Sequence, residues 1–240
     1  MKNLKQYIKE KLIVNKDYRD NMIVVKSFDE LRKIIEDRYD KLGAGTEQDP
    51  VDFNDIDISN IDSFCGKYDT GIFEYTRFKY IDISDWDVSN IKSMRGMFFM
   101  CTELKSTGDI SKWDVSNVTD MSCMFAYCNY FNENLSSWNV SNVTNTSGMF
   151  GNCKKFNQDI SSWNVSYVIN MSNMFYACLK FNQDISDWDV SHVTDMAFMF
   201  KLCKSFNQDL SGWNVSRVVS YTSCVFDYCP IKNEYKPKFK

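Results

Sequence analysis

Apolar residues recur at fixed positions in a stretch of about 25 residues that repeats along most of the chain. Counted from the tryptophan of each unit as position 0, the apolar positions are −3, 0, +2, +5, +8, +11, +12, +15 and +18. The fourth unit holds them as Ile160, Trp163, Val165, Val168, Met171, Met174, Phe175, Cys178 and Phe181. This period predicts a solenoid, because such a unit cannot bury its apolar face alone and must stack on its neighbours.

Two periodicities within each unit predict its local structure. Trp163 and Val165 alternate with polar residues, which is strand spacing. The apolar residues from Met171 to Cys178 stand at i, i+3, i+4 and i+7, which is one face of a helix. We therefore predict an α/β repeat: a right-handed, leucine-rich-repeat-like solenoid with a short strand and a short helix in each 25-residue coil. The spacing of positions −3, 0 and +2 matches the strand signature of leucine-rich repeats.

The repeat divides the chain into four regions. We assign residues 82–229 to a solenoid of six repeats and residues 46–81 to a transition with a degenerate repeat, in which Ile56 takes the place of the tryptophan. Residues 1–45 do not repeat, and we predict that they form an N-terminal α/β cap. For residues 230–240 we predict a loosely ordered basic tail.

The N-terminal region has its own helix and strand signals. Leu4 to Leu12 has the pattern of an amphipathic helix, and Met22 to Val25 that of a strand. Ser27 and Glu30 form a capping box before a helix that Gly43 ends. Two interpretations stay open: the region caps the apolar end of the first coil, or it docks to a partner.

The repeated motif also carries a family resemblance. The pattern W-[DN]-V-S-x-V-x-x-M-x-x-M-F-x-x-C-x-x-F-N-Q-D-[IL]-S resembles the 25-residue repeat of Mycoplasma-type surface proteins, a family similar to the BspA-like leucine-rich repeats. The resemblance covers about 150 residues. It implies a solenoid and, as a function, surface adhesion or protein binding.

Charge and hydropathy exclude some classes of function. The net charge of −4 argues against a nucleic-acid partner, because binding phosphates requires a basic face. No apolar run approaches the roughly 18 residues of a membrane span. Residues 1–12 lack the apolar core of a secretory signal, which predicts a cytoplasmic or virion-associated protein, with the cell surface as the alternative that the resemblance implies.

The cysteines follow the repeat. Five of the nine stand at position +15: Cys101, Cys128, Cys153, Cys178 and Cys203. We predict a buried ladder of free thiols, because buried cysteine behaves as a small apolar residue. The sequence contains no C-x-x-C pair, and we expect neither a bound metal nor a cofactor.

Position +1 holds Asp or Asn in every unit: Asp87, Asp114, Asn139, Asn164, Asp189 and Asn214. On a leucine-rich-repeat strand this column would face outward on the sheet. It is open to three interpretations: a structural ladder, a partner-binding surface or a calcium site.

Two further groups are candidates for contacts with a partner. Position +4 is asparagine in units one to three but Tyr167, His192 and Arg217 in units four to six. These three predict an exposed patch, and ordinary surface variation is the alternative. Tyr176, Phe198 and Leu202 predict an apolar patch for a partner or for oligomer contact.

These observations favour a non-enzymatic module that binds a protein or a surface glycan through the exposed sheet face and position +4. The alternative is a structural component of a larger assembly, such as a phage virion or a cell-surface appendage, anchored by the N-terminal segment. An enzyme is disfavoured because a catalytic carboxylate pair should interrupt the repeat, whereas the carboxylates here follow it.

Overall fold

The computed structural model describes residues 22–220 and 222–239. Its helix and strands, in chain order, are β1 (Ile23–Val24), α1 (Phe28–Leu42), β2 (Val51–Asp52), β3 (Ile56–Asp57) and β4 (Ile81–Asp82). Short 3₁₀ helices span Ile110–Lys112, Thr222–Cys224 and Asn233–Tyr235. The helix predicted for residues 4–12 lies outside the described residues.

The strand and helix expected after residue 21 are confirmed. Strand β1 pairs in parallel with β3, and β2 pairs in parallel with β4. The Ser27 hydroxyl caps α1 by accepting from the amide of Glu30 at 3.2 Å. The Glu30 carboxylate in turn accepts from the amide of Lys26 at 2.8 Å. Gly43 ends α1 with a φ of 73°, in the left-handed region that glycine adopts without strain.

Helix α1 packs against the transition. Its Leu31 and Ile35 side chains are fully buried. Arg32 donates hydrogen bonds to the carbonyl of Gly71 at 2.9 Å and to that of Ile72 at 3.0 Å. The helix is therefore joined to this region by polar as well as apolar contacts.

Successive units stack through parallel bridges at position +7. The bridged pairs are Ser63–Ser93, Ser93–Asp120, Asp120–Asn145, Asn145–Asn170, Asn170–Asp195 and Asp195–Ser220. Ser63 follows Ile56 by seven residues, as Ser93 follows Trp86. The unit around Ile56 therefore takes part in the same stack although it lacks the tryptophan.

The strand and helix predicted within each unit do not form. No α-helix lies between residues 82 and 220, and the parallel bridge falls on Asn170 instead of Trp163 to Val165. Residues 171–178 form a run of tight turns in which the amide of Met174 donates to the carbonyl of Met171. The alternate amides donate to the next unit, as from Asn173 to Ala197 at 2.8 Å.

Left-handed backbone explains why no helix forms there. Asn173 has a φ of 57° and Ala177 a φ of 55°, and left-handed residues interrupt a right-handed helix. The spacing of the apolar residues correctly predicted which side chains face the core. It did not predict which backbone groups bond to each other, and among residues 171–178 half of the amides bond to the following unit.

The core consists of columns of identical side chains. Seven phenylalanine rings stack with centroids 5.2 to 5.9 Å apart: Phe73, Phe98, Phe125, Phe150, Phe175, Phe200 and Phe226. The six tryptophans are buried, and each indole N–H donates to a backbone carbonyl of the preceding unit. Trp163, for example, donates to Leu135 at 2.9 Å.

The cysteine ladder is buried and free of disulfides, as predicted. Each ladder thiol donates to the carbonyl of a column phenylalanine in the preceding unit, with Cys153 2.9 Å from Phe125. Burial raises the pKa of the Cys153 thiol well above its usual value. The pKa values of the Cys128, Cys178 and Cys203 thiols are raised in the same way, so these four thiols are neutral, and all five ladder thiols donate hydrogen bonds.

The C-terminal segment packs on the last unit instead of forming a loose tail. Ile231 is buried, and Tyr235 and Phe239 pack against the core. The amide of Leu210 donates to the carbonyl of Tyr235 at 2.8 Å. The apolar residues interspersed among the lysines find the exposed apolar end of the stack, and this burial outweighs the preference of the charged residues for water.

Candidate functional site

The Asp and Asn side chains at position +1 stabilise turns within their own units. All six side chains are exposed. In each, one side-chain oxygen accepts a hydrogen bond from the backbone amide of the serine two residues later. The Ser116 hydroxyl and then its amide hold the pKa of Asp114 below its usual value. The column faces outward as predicted, but no sheet carries it. Among the described residues, no group of three or more His, Cys, Asp or Glu could hold a metal ion.

A second polar ladder joins the turns of neighbouring units. The side-chain oxygen of Asn157 accepts from the backbone amide of Asn182 at 2.9 Å. The side-chain oxygen of Asn182 in turn accepts from the backbone amide of Asn207, also at 2.9 Å. Gln183 donates to the carbonyl of Asn157 at 2.9 Å. These polar groups are used within the stack and are not free for a ligand.

Position +4 changes its role along the chain. In units two and three its asparagines donate to the preceding unit, Asn117 to Ser89 at 2.8 Å and Asn142 to Ser116 at 2.7 Å. Tyr167, His192 and Arg217 replace them in units four to six, and all three are exposed. Among residues 22–220 and 222–239, none of these three side chains bonds to a neighbouring unit.

Position +6 changes in two of these three units. Threonine hydroxyls at this position donate to the preceding unit, as Thr144 does to Thr119 at 3.2 Å. Ile169 and Val219 replace threonine in units four and six, with 50% and 83% of their surface exposed. The amide of Thr194 donates to the carbonyl of Ile169, and the amide of Val219 donates to the carbonyl of Thr194. The three residues therefore lie side by side.

Five exposed residues at these two positions thus form one surface, here called the C-terminal patch: Tyr167, Ile169, His192, Arg217 and Val219. Reasoning from the sequence found the three at position +4 and missed Ile169 and Val219. A signal was present, because an apolar residue takes a position that holds Thr or Lys in the other units.

Tyr176 and Phe198 belong to a different surface, an open groove of about 570 Å³. This aromatic groove is defined by Phe99, Tyr127, Gly148, Gly151, Tyr176 and Phe198. Leu202 is half-buried and does not line it. Reasoning from the sequence missed Phe99 and Tyr127, together with the glycines that create the space between the aromatic rings.

A recess of about 580 Å³ lies nearby and carries four lysines, Lys79, Lys105, Lys154 and Lys155. Lys79 pairs with Glu103 at 3.4 Å, and Lys105 lies 5.9 Å from the Tyr130 ring centroid. We call this surface the lysine recess. It is a locally positive surface in a chain with a net charge of −4.

No helix in residues 22–220 and 222–239 has both the length and the apolar character that crossing a bilayer requires. Helix α1 has 15 residues, and many of them are charged.

The stacked units define a tandem-repeat protein, and comparison with known families agrees. The family model described as "Mycoplasma protein of unknown function, DUF285" matches residues 68–178 and 158–236, which together cover more than half of the chain. The chain therefore belongs to this family. No curated protein and no solved structure matches the chain.

Proposed function

We propose that this chain is a non-enzymatic interaction module that binds a protein partner through the C-terminal patch. One observation carries the proposal: units four to six lack the asparagine that bonds to the preceding unit at position +4, and units four and six also lack the threonine that does so at position +6. In place of self-bonded Asn and Thr they expose a tyrosine, an arginine, a histidine and two β-branched apolar residues.

The bonds in units two and three indicate that the stability of the stack does not require a tyrosine at position +4 or an isoleucine at position +6. Asn142 and Thr144 each donate a hydrogen bond to the preceding unit, and both side chains fit the stack. Tyr167 and Ile169 take the same positions one unit later without those bonds, and Tyr167 is 66% exposed. Exposed apolar surface that costs hydrogen bonds is typical of a binding site.

The positive charge of Arg217 on the patch indicates the chemistry of the partner. Arg217 and His192 are the polar members, and they flank apolar side chains. An arginine binds a carboxylate through two parallel hydrogen bonds. The partner that fits is therefore a protein surface with an acidic side chain beside apolar residues.

For the scaffold we propose a right-handed solenoid related to the BspA-like leucine-rich repeats. The regular apolar period and the parallel bridges between units support the solenoid. The relationship to the BspA-like repeats rests on the sequence pattern. The carboxylates at position +1 bond to their own serines, which supports a structural role for them over a catalytic one.

The patch can be tested by restoring the early ladder. The restored variant carries Tyr167→Asn, His192→Asn, Arg217→Asn, Ile169→Thr and Val219→Thr. These are the residues that units two and three hold at the two positions. Immobilised wild type is used to isolate a partner, and the purified partner is then titrated against both proteins by calorimetry. Tyr130→Asn, an exposed tyrosine outside the patch, is the matched control.

The proposal predicts binding by wild type and by the Tyr130→Asn control, and a loss of at least about tenfold in the restored variant, as for interface hot spots. The restored variant should be at least as stable as wild type. Equal affinity of all three proteins, or failure of wild type to bind any protein, would contradict the proposal.

A further inference from the structure

The aromatic groove exists because position +13 varies in size between units. Phe99 and Tyr176 hold this position in units one and four, whereas Ala126 and Gly151 hold it in units two and three. Neighbouring strands lie about 4.8 Å apart, so the two rings stand roughly 14 Å apart along the stack. Tyr127 packs edge-on to Phe99 with centroids 5.9 Å apart, which widens the aromatic wall at that end.

Two glycines keep the floor of the groove low. Gly148 has a φ of 63°, and a Cβ there would lie 3.1 Å from the Cys123 sulfur. A Cβ on Gly151 would lie 3.3 Å from the Gly148 carbonyl, a contact that a small shift relieves. Substituting Gly151 is thus compatible with the backbone, and glycine there serves to leave space.

The floor also carries polar groups that the stack does not use. The side chains of Asn152, Asn173, Ser147 and Ser172 line the groove. None of the four makes a side-chain hydrogen bond to another described residue, whereas Asn117 and Asn142 bond to the preceding unit. Two carboxamides and two hydroxyls are therefore available as both donors and acceptors.

The groove is close to electrically neutral. Lys201 is the one charged residue among its lining residues, and its ammonium lies 3.4 Å from the Asp227 carboxylate. Burial raises the pKa of the Cys123 thiol, so the thiol is neutral as well. The lysine recess, by contrast, would attract an acidic ligand.

From these features we infer that the aromatic groove binds a neutral oligosaccharide chain. A saccharide ring has apolar C–H faces that pack on aromatic rings and hydroxyls that both donate and accept hydrogen bonds. The groove provides both kinds of partner over the length of several units. Nothing in this inference depends on the C-terminal patch, which shares no residue with the groove.

A proline-rich peptide is the rival ligand, because such segments dock into aromatic grooves. Its prolines offer carbonyl acceptors but no N–H donors. The carboxamide oxygens of Asn152 and Asn173 would then lose water without gaining a partner, which is unfavourable. The uncommitted acceptors on the floor therefore favour the saccharide.

Calorimetry with the full chain tests the inference. The neutral probes are cellohexaose, chitohexaose and maltohexaose, and the contrasting probes are decaproline and hexagalacturonate. Gly151→Tyr fills the groove with the residue that unit four holds at the same position. The double variant Asn152→Ala and Asn173→Gly removes the carboxamides, using residues that other units hold at +14 and +10. Tyr167→Asn, in the C-terminal patch, is the control.

We expect at least one neutral hexasaccharide to bind wild type and Tyr167→Asn equally. Gly151→Tyr should abolish binding, and the double variant should weaken it by about tenfold through lost hydrogen bonds. Three results would overturn the inference: no neutral probe binds, decaproline or hexagalacturonate binds in place of the neutral sugars, or both groove variants bind as wild type does. Melting curves establish that each variant is folded.

Discussion

The thiol of Cys178 donates a hydrogen bond to the carbonyl of Phe150, one unit earlier, at 2.9 Å. The same relationship recurs for each buried cysteine of the ladder, so the sulfur atoms connect successive units as well as filling space. This arrangement leads to a prediction about thiol reactivity.

The five ladder cysteines should react slowly with a thiol reagent in native protein, because burial removes access and raises the pKa of thiols such as Cys203. The four half-buried cysteines, Cys65, Cys123, Cys224 and Cys229, should react first. Absorbance titration with a chromogenic disulfide measures both phases, and unfolded protein should titrate close to nine thiols. Ladder thiols that react as fast as those of unfolded protein would contradict the burial.

Replacing Trp163 with alanine should lower the free energy of unfolding by about 3–5 kcal/mol, since the variant loses a buried indole and leaves a cavity. It also removes the indole hydrogen bond to the Leu135 carbonyl, which then accepts only from the amide of Trp138. Asn164→Ala is the matched control. It loses the two exposed hydrogen bonds that Asn164 accepts from the amide and hydroxyl of Ser166, and should cost about 0.5–1.5 kcal/mol. Urea denaturation measures both, and equal losses would mean that the inside and outside of the unit are assigned wrongly.

Stability should fall in acid because of the aspartates in the repeated turns. The pKa of Asp114 and that of Asp189 are lowered in the folded chain by the hydroxyl and amide of the following serines, Ser116 and Ser191. A lowered folded pKa contributes stability above the unfolded value, and this stability is lost as the pH falls through the folded pKa. The free energy of unfolding should therefore decline as the pH falls below about 4.

The repeat supplies the control for this pH dependence. Asn139, Asn164 and Asn214 make the same turn without a titrating group. Asp114→Asn combined with Asp189→Asn should therefore make the acid-induced decline shallower and change the stability at pH 7 little. Urea denaturation at pH 7, 4 and 3 measures this. A decline as steep as that of wild type would show that these turns do not carry the pH dependence.

Deleting residues 1–45 should cause aggregation. The deletion removes α1, whose Leu31 and Ile35 are fully buried, and leaves the carbonyls of Gly71 and Ile72 without Arg32. Deleting only residues 2–12 keeps α1 and β1 and is the matched control, which should remain soluble with an unchanged melting temperature. Light scattering and thermal melting separate the two variants. A stable, monomeric product without all 45 residues would rule out the cap.

Part of this architecture could be predicted because burial leaves a direct trace in the sequence. Trp163 and Val165 are buried and Asn164 between them is exposed, as their polarity requires. The period places each cysteine of the ladder at +15 and five of the seven column phenylalanines, from Phe98 to Phe200, at +12. Ser27, Glu30 and Gly43 mark the ends of α1 by short-range hydrogen bonds and backbone conformation, so their effect can also be predicted locally.

The functional surfaces were harder to predict, because they combine residues from different units. The aromatic groove requires small residues at position +13 in two adjacent units, with an aromatic residue at +13 in the unit on either side. The carboxamides of Asn152 and Asn173, which bond to no other described side chain or carbonyl, can be recognised only once the hydrogen bonds of the other asparagines are known. Glu133 illustrates the same point: its carboxylate accepts from the amide of Thr107, which lies in the irregular stretch after Cys101. In units four to six, the residue at this position is a glutamine whose amide donates to a carbonyl.

The sequence by itself determined which side chains face inward, because the hydrophobic effect acts on each apolar residue wherever it lies along the chain. Only the tertiary structure decided how the backbone satisfies its hydrogen bonds. The spacing from Met171 to Cys178 suits a helix equally well, but the amides of Asn173 and Phe175 have carbonyl partners in the next unit at 2.8 and 3.0 Å. Those partners lie about 25 residues away, so they become available only once the units have stacked.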